Sequence, residues 1–158
     1  MNNMKLVILD RDGTIGEPSA AQGDLSSDWQ PLPGALQAIA RLNHGGWHVV
    51  IASNEGGLGR GVYEMARIND LQTRMYKMLA AVGARVDAMF FCPHAPDEAC
   101  HCRKPASGMF SQIGERYGVD LKGMPAVGDS LDDMLAAAEA GCTPHLVLTG
   151  EGAQYRGA

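Results

Sequence analysis

Short apolar runs that alternate with helical stretches are the feature that most constrains the fold of this chain. The first run, residues 5–9, is closed by Asp10 and has the continuous apolar pattern of a strand buried on both faces. Further strands are predicted at 48–52, 88–91, 125–127 and 145–148. Helices are predicted between Pro33-Gly34 and Gly45-Gly46, at 64–82, 107–117 and 131–140, with a glycine-rich loop at 56–61. This alternation predicts an α/β fold with a Rossmann-like parallel sheet and helices on both faces.

Composition limits the domain count and the partners. A chain of 158 residues with 46% hydrophobic and 20% charged residues suits one domain, here 1–158, with a real core. Thirteen basic against eighteen acidic residues give a net charge of -5, which argues against nucleic acid as a partner. No apolar run approaches the roughly 20 residues of a membrane span, and residues 4–9 are too short for a signal peptide. We expect a cytoplasmic monomer without membrane partners.

Two carboxylates follow the first predicted strand, at Asp10 and Asp12. Asp and Gly are common turn formers, so Asp10 to Thr14 is compatible with a simple turn. The same spacing also allows one carboxylate to act as a nucleophile or Mg²⁺ ligand while the other transfers protons. The motif alone leaves both interpretations open.

Other polar residues also stand where predicted strands end, which in a parallel sheet brings them to one edge. Of the three acidic residues after the fourth predicted strand, Asp129 is the best candidate metal ligand, because the strand order would bring it near Asp10. We expect Asp133 to support the site and Asp132 to be a surface charge. Ser53 and Asn54 could bind a phosphoryl group or simply cap a helix. Arg103 and Lys104 suit a transferring phosphate, although two adjacent basic residues are usually solvated.

Three of the four cysteines fall within eleven residues and form the pattern Cys92-x-His94-x5-Cys100-x-Cys102. Three thiolates and one imidazole make a closed tetrahedral zinc site, in which four protein ligands indicate a structural role. His101 competes with His94, but it is held between two ligands. We expect Cys142 to be an ordinary buried thiol and Trp29 and Trp47 to be packing residues.

Together these motifs resemble the haloacid dehalogenase superfamily of phosphatases that use an aspartate nucleophile. The resemblance covers nearly the whole chain, through Asp10-x-Asp12-Gly13-Thr14, Ser53-Asn54, Lys104 and Gly128-Asp129. The two cysteine elements at 92–94 and 100–105 look like the zinc-loop subfamily, whose members act on a heptose bisphosphate or on histidinol phosphate.

The resemblance implies a role for each motif residue. Asp10 would attack phosphorus to form an aspartyl-phosphate, while Asp12 would protonate the leaving oxygen and then activate water. Mg²⁺ would be held by Asp10, the Asp12 backbone carbonyl and Asp129. Ser53 and Lys104 would stabilise the phosphoryl group, and Zn²⁺ would be structural in the loop 92–102. The implied substrate-binding residues are Asn54, Glu55, Arg60, Arg103 and Ser130.

The resemblance also implies a fold detail and a substrate. Cap domains of this superfamily follow the first or third strand, and the interval 13–32 is too short for one, so we expect a capless fold. The family usually continues beyond the position of Gly150, so the last element is expected to be shortened or missing. The implied reaction removes the C7 phosphate of D-glycero-D-manno-heptose 1,7-bisphosphate, in ADP-heptose and lipopolysaccharide core biosynthesis.

Three alternatives stay open, the last of which is a zinc-stabilised binding module without activity. The first is a phosphatase acting on histidinol phosphate, which we place behind the heptose bisphosphate because Gly57 to Gly61 is closer to the heptose-type pattern. The second is a receiver-like phosphoacceptor domain that keeps its acyl phosphate. Asp12 disfavours that reading, since a base beside the nucleophile hastens hydrolysis.

Overall fold

The computed structural model describes residues 4–17 and 29–157. Five strands form one parallel sheet in the order β3-β2-β1-β4-β5. Their bounds are β1 Lys5–Leu9, β2 Trp47–Asn54, β3 Ala88–Cys92, β4 Pro125–Gly128 and β5 Thr143–Leu146. The predicted parallel sheet is confirmed.

The helices fill the connections between the strands. They are α1 Ala35–His44, α2 Gly56–Gly59, α3 Met65–Ala81, α4 Gly108–Tyr117 and α5 Leu131–Glu139, followed by a short 3-10 helix at Gly152–Tyr155. Among the described residues, no helix is both long enough and apolar enough to cross a membrane.

Alternate side chains of the central strands pack against two separate cores. Val7 and Leu9 of β1 lie in one core, which α1 and α3 complete. Leu6 and Ile8 lie in the other, which α4 and α5 complete. Because successive strand residues point to opposite faces, the continuously apolar β1 is covered on both sides. The prediction of helices on both faces is therefore confirmed.

The predicted last strand, 145–148, is wrong by two residues, since β5 is Thr143–Leu146. The prediction placed the strand too far towards the carboxyl end because Leu146, Val147 and Leu148 form an apolar run. Pairing with β4 instead starts at Thr143 and includes Pro144, which is tolerated because β5 is an edge strand.

Two smaller differences concern the region after β2. The predicted glycine-rich loop contains the short helix α2, and β2 extends through Ser53 and Asn54 because both pair with β3. The residues described between β3 and α4 form a loop without a cap domain. Of the interval 13–32, residues 18–28 lie outside the described part of the chain.

The topology brings the predicted functional residues to one edge of the sheet. β1 lies between β2 and β4, and all run in parallel, so their carboxyl ends lie side by side. Asp10 follows β1, Asn54 ends β2, Cys92 ends β3 and Asp129 follows β4. The connection that follows β1 leads to β2 on one side, whereas the connection that follows β4 leads to β5 on the other side. Ligands bind at such a reversal of direction in open α/β sheets.

Candidate active site

Three carboxylates and one ammonium group form the centre of the site. Oxygen atoms of Asp10, Asp129 and Asp133 all lie within 4.8 Å of one another. The Lys104 ammonium donates to Asp10 Oδ1 at 3.0 Å and to Asp133 Oδ1 at 2.8 Å. Its side chain is 3% exposed. Lys104 comes from the loop after β3, so residues distant in sequence meet here.

The amino end of α5 fixes Asp133. Ser130 caps this helix by accepting from the Asp133 backbone N–H at 3.1 Å, while Asp133 Oδ2 accepts from the Ser130 N–H at 3.2 Å. This reciprocal capping satisfies donors that a helix start leaves unpaired. Oδ2 also accepts from the Asp129 N–H at 3.1 Å. Asp133 thus has the predicted supporting position, holding both Lys104 and the backbone of Asp129.

Glycines allow close approach to Asp129. A Cβ at Gly13 would lie 1.9 Å from Asp129 Oδ2, and one at Gly150 would lie 2.1 Å from the same atom. The Glu151 N–H donates to Oδ2 at 2.9 Å, and Thr149 Oγ1 donates to the Gly13 carbonyl at 2.7 Å. The segment after β5 therefore closes around Asp129, a role that the sequence analysis missed.

Burial and crowding perturb these groups strongly. Burial raises the pKa of Asp10 well above its usual range, and the neighbouring carboxylates add to this although Lys104 opposes it. Burial also raises the pKa of Asp129. For Asp133, burial is outweighed by Lys104, which holds the pKa of this carboxyl below its usual value. Burial alone would lower the pKa of Lys104, but Asp10 and Asp133 raise it.

The donor set fits a hard divalent cation. The three carboxylates and the one ammonium group carry a formal charge of -2, and the carboxylate oxygens lie within 4.8 Å of one another. A bound Mg²⁺ ion would neutralise this charge. Asp133 is occupied by Lys104 and two backbone donors, so Asp10 and Asp129 are the available carboxylate ligands. One or two carboxylates plus phosphate oxygens and water is the shell that Mg²⁺ prefers.

Asp12 belongs to a second, unpredicted charge network. Arg11, with no exposed side-chain surface, donates from Nε to Asp12 Oδ1 at 2.9 Å and from Nη2 to Oδ2 at 3.3 Å. Its Nη1 donates to Glu55 Oε1. Tyr63 donates its hydroxyl to Glu55 Oε2, and Ser53 donates to Oε1 at 3.0 Å. Charged residues are usually solvated, so nothing in the local sequence indicated that Arg11 is buried.

This network contains Glu55, which the resemblance implies to be a substrate-binding residue. Its side chain is 1% exposed and accepts from three buried donors. Glu55 therefore lies in the interior rather than towards a substrate. Ser53 is also buried, and its hydroxyl donates to Glu55.

Asn54 and Ser130, both expected to bind substrate, also make hydrogen bonds that support the structure of the site. The Asn54 side chain donates to the Lys104 carbonyl at 3.2 Å and accepts from the Lys104 N–H at 3.0 Å. It thereby fixes the backbone that carries the buried ammonium. The Ser130 hydroxyl accepts the capping bond from Asp133.

The two remaining candidate substrate residues, Arg60 and Arg103, directly follow α2 and the cysteine loop. Arg60 is exposed and caps the carboxyl end of α2. Arg103 is half-buried, with Nη1 3.4 Å from the His94 carbonyl oxygen. A Cβ at Gly56 would lie 3.0 Å from this Nη1, so the glycine makes room for the guanidinium.

The cysteine loop brings its four predicted ligands together. Cys92, His94, Cys100 and Cys102 offer atoms that all lie within 4.8 Å of one another. His94 Nδ1 is 3.3 Å from both Cys92 Sγ and Cys102 Sγ, and Cys92 Sγ is 3.7 Å from Cys100 Sγ. A tetrahedral site with Zn–S bonds of about 2.3 Å has ligand separations of about 3.8 Å, so the donor set fits zinc. His101 is exposed and outside this cluster.

Comparisons with known proteins identify hydrolases and phosphatases as relatives of this chain. A model of the HAD-hydrolase-like family matches residues 101–156. D-glycero-beta-D-manno-heptose-1,7-bisphosphate 7-phosphatase of Bordetella bronchiseptica is 54% identical over 149 residues, covering 94% of this chain and 83% of that protein. The protein of the same name from Pseudomonas aeruginosa is 45% identical over 152 residues, covering 96% and 85%.

A solved structure extends the likeness to three dimensions. The crystal structure of D,D-heptose 1,7-bisphosphate phosphatase from B. bronchiseptica, complexed with magnesium and phosphate, matches with a TM-score of 0.92 at 54% identity. The match covers 96% of this chain and 84% of that chain.

Proposed function

Because the chain belongs to the heptose-1,7-bisphosphate 7-phosphatase family of HAD-like hydrolases, we propose that it hydrolyses the C7 phosphate ester of D-glycero-D-manno-heptose 1,7-bisphosphate. The observation that carries this proposal is the buried group of Asp10, Asp129 and Lys104 at the carboxyl edge of the sheet. Histidinol phosphate, the alternative substrate, is not favoured, since both described relatives bear the heptose bisphosphatase name.

Asp10 is the nucleophile of this proposal. Its carboxylate oxygen forms a bond to phosphorus as the bond from phosphorus to the sugar oxygen breaks. Lys104 lies 3.0 Å from Asp10 Oδ1 and offsets the charge that gathers around the transferring group. Such positioned charge supplies most of the catalysis in phosphoryl transfer.

Asp12 is the acid and base of the two half-reactions. It gives its proton to the departing sugar oxygen, and it then takes a proton from the water that attacks the aspartyl-phosphate. Cleavage of the acyl phosphate restores Asp10 and releases inorganic phosphate. The side chain of Asp12 is 28% exposed, which leaves it accessible to both the leaving group and water.

Mg²⁺ is the cation that the acidic cluster fits, held by Asp10, Asp129 and the backbone carbonyl of Asp12. When bound, it neutralises excess carboxylate charge and lets an anionic phosphate enter. Asp133 does not bind it, but fixes Lys104 and the Asp129 backbone. The Ser53 hydroxyl must turn away from Glu55 if it is to donate to a phosphoryl oxygen.

Cys92, His94, Cys100 and Cys102 would hold Zn²⁺, which would stiffen the loop that presents Arg103. Burial raises the pKa of the Cys92 thiol to about 12, whereas the Arg103 backbone N–H lowers that of Cys100 to about 7. Zinc binding supplies the charge that keeps all three sulfurs as thiolates. Arg103 and the exposed Arg60 then contact the rest of the phosphorylated sugar.

Phosphate release with Mg²⁺ tests the proposal. We expect turnover of the heptose bisphosphate to exceed that of histidinol phosphate, and Asp10→Asn to abolish it. Faster turnover of histidinol phosphate would reverse the substrate assignment, and undiminished activity in Asp10→Asn would overturn the mechanism. A long-lived phosphoprotein without turnover would instead indicate a phosphoacceptor domain.

A further inference from the structure

Arg11 stands between the two mechanistic aspartates in sequence, yet its side chain does not enter the acidic cluster. It is fully buried and lies between the carboxylates of Asp12 and Glu55. Burial would lower the pKa of the guanidinium, but Asp12 and Glu55 outweigh it and raise that pKa. Arg11 is therefore a buried cation that two carboxylates, those of Asp12 and Glu55, hold in place.

Glu55 holds one side of the Arg11 guanidinium by accepting a hydrogen bond from Nη1. Its Oε1 accepts from Arg11 and Ser53, and its Oε2 accepts from Tyr63. A buried carboxylate with three donors has little freedom to move, because each lost hydrogen bond leaves a buried polar group unpaired. Burial and the bond to Glu55 also raise the pKa of the Tyr63 hydroxyl, which keeps it a donor.

The Asp12 carboxylate accepts hydrogen bonds from the other side of the Arg11 guanidinium. Arg11 contacts both of its carboxylate oxygens, at 2.9 and 3.3 Å. Two-point contact between a planar guanidinium and a carboxylate fixes orientation as well as distance. Asp12 is 28% exposed whereas Arg11 is not exposed at all, so a rigid buried group orients a partly exposed one.

We propose that Arg11, anchored by Glu55 and Tyr63, is the positioning residue that aims the Asp12 carboxyl at the oxygen of the leaving group. The inference rests on the proposed function, because it assigns Arg11 a role only through the acid and base action of Asp12. Arg11 transfers no proton and touches no substrate. The proton still passes from Asp12 to the sugar oxygen as the phosphorus–oxygen bond breaks.

This role has a kinetic signature that loss of folding lacks. A sugar alkoxide is a poor leaving group and needs a well-placed acid, whereas an aryl oxide leaves with little protonation. Misplacing Asp12 should therefore reduce kcat/KM for the sugar ester much more than for an aryl phosphate. Binding of inorganic phosphate should change little, since Lys104 and the metal ligands stay in place and a Gln at position 55 can still accept the hydrogen bond from Ser53.

The experiment uses the full chain with Mg²⁺ and the variant Arg11→Met/Glu55→Gln. The double change removes both buried charges together, because removing Arg11 alone would leave Glu55 buried and unpaired. Arg85→Met is the control, since it removes an arginine from an exposed pair with Asp87. Kinetics on heptose bisphosphate and 4-nitrophenyl phosphate are compared, together with inhibition by inorganic phosphate.

We expect the double variant to lose about 100-fold in kcat/KM on the sugar ester, the contribution typical of a positioned acid. The aryl ester should lose less than about 3-fold, and the inhibition constant for phosphate should stay within about 2-fold. Tyr63→Phe, which removes one anchor and no charge, should give a smaller loss of the same selective kind.

Two results would overturn the inference. One is a proportional loss on both esters accompanied by weaker phosphate inhibition, which would make the network merely structural. The other is full activity of the double variant on the sugar ester. Absence of phosphate release by the wild-type protein would instead refute the proposed function, so the two failures are distinguishable.

Discussion

Lys104 Nζ lies 3.0 Å from Asp10 Oδ1, although 94 positions separate the two residues. The contact exists because the loops that follow β1 and β3 meet at the same edge of the sheet. Asn54 fixes the Lys104 peptide and Asp133 fixes its ammonium. The proposed nucleophile is thus paired with a cation whose position three elements determine.

Removing this cation should reduce turnover strongly. We expect Lys104→Met to lower kcat by about 10²- to 10³-fold, because it removes a preorganised charge from the transferring phosphoryl group. Steady-state phosphate release measures the effect. Lys122→Met, at an exposed position, is the matched control, and equal rates in both variants would contradict the role of Lys104.

Neutralising Asp10 should stabilise the magnesium-free protein. The folded-state pKa of Asp10 is raised, so its favourable contribution is complete below the ordinary pKa near 3.8 and is lost as pH rises through the folded value. Asp10→Asn should therefore raise the melting temperature at pH 7, and this gain should shrink towards pH 4. Thermal denaturation in Mg²⁺-free buffer, without a chelator that would also remove zinc, measures it; a gain that grows on acidification would be inconsistent with this sign.

Closing the space beside Asp129 should weaken Mg²⁺ binding. An added Cβ at Gly150 would lie 2.1 Å from Asp129 Oδ2, at a φ of +56°. Gly118 has a similar φ of +62° but open space around it, so Gly118→Ala reproduces the strain without the clash. We expect Gly150→Ala to raise the Mg²⁺ concentration for half-maximal activity at least about 10-fold, since metal ligands need accurate placement. The same Mg²⁺ requirement in both variants would argue against Asp129 as a ligand.

Zinc should be lost when one sulfur ligand is replaced. We expect Cys100→Ser to reduce the zinc content well below one atom per chain and to lower the melting temperature, because metal binding contributes folding free energy. KM for the sugar substrate should rise as the loop carrying Arg103 loosens. Cys142→Ala removes a buried thiol outside the cluster and should retain zinc. Elemental analysis of both variants measures the zinc content. One zinc atom per chain in Cys100→Ser would refute the four-ligand site.

The sequence predicted best where periodicity and chemistry agree. The apolar run of β1 and the carboxylate that closes it located both a central strand and Asp10, and the spacing of Cys92, His94, Cys100 and Cys102 located the ligand cluster. The bounds of β5 failed because pairing with β4, rather than local hydropathy, determines where an edge strand begins. Such pairing cannot be read from one segment alone.

The charge network around Asp12 was missed for a related reason. Arg11, Glu55 and Tyr63 come from three separate segments, and no local pattern in any of them indicates contact with the other two. Only the fold buries them together. The tasks of Asn54 and Ser130 were likewise hidden, because their hydrogen bonds to Lys104 and Asp133 depend on loop positions.

The most direct test of the proposed function is ³¹P NMR of heptose 1,7-bisphosphate during turnover with Mg²⁺, with Asp10→Asn as the inactive reference. We expect the C7 phosphate signal to be replaced by inorganic phosphate while the C1 phosphate signal persists, and no change with the variant. Loss of the C1 signal first, or an unchanged spectrum with the wild-type protein, would contradict the assignment of this chain as a C7 phosphatase.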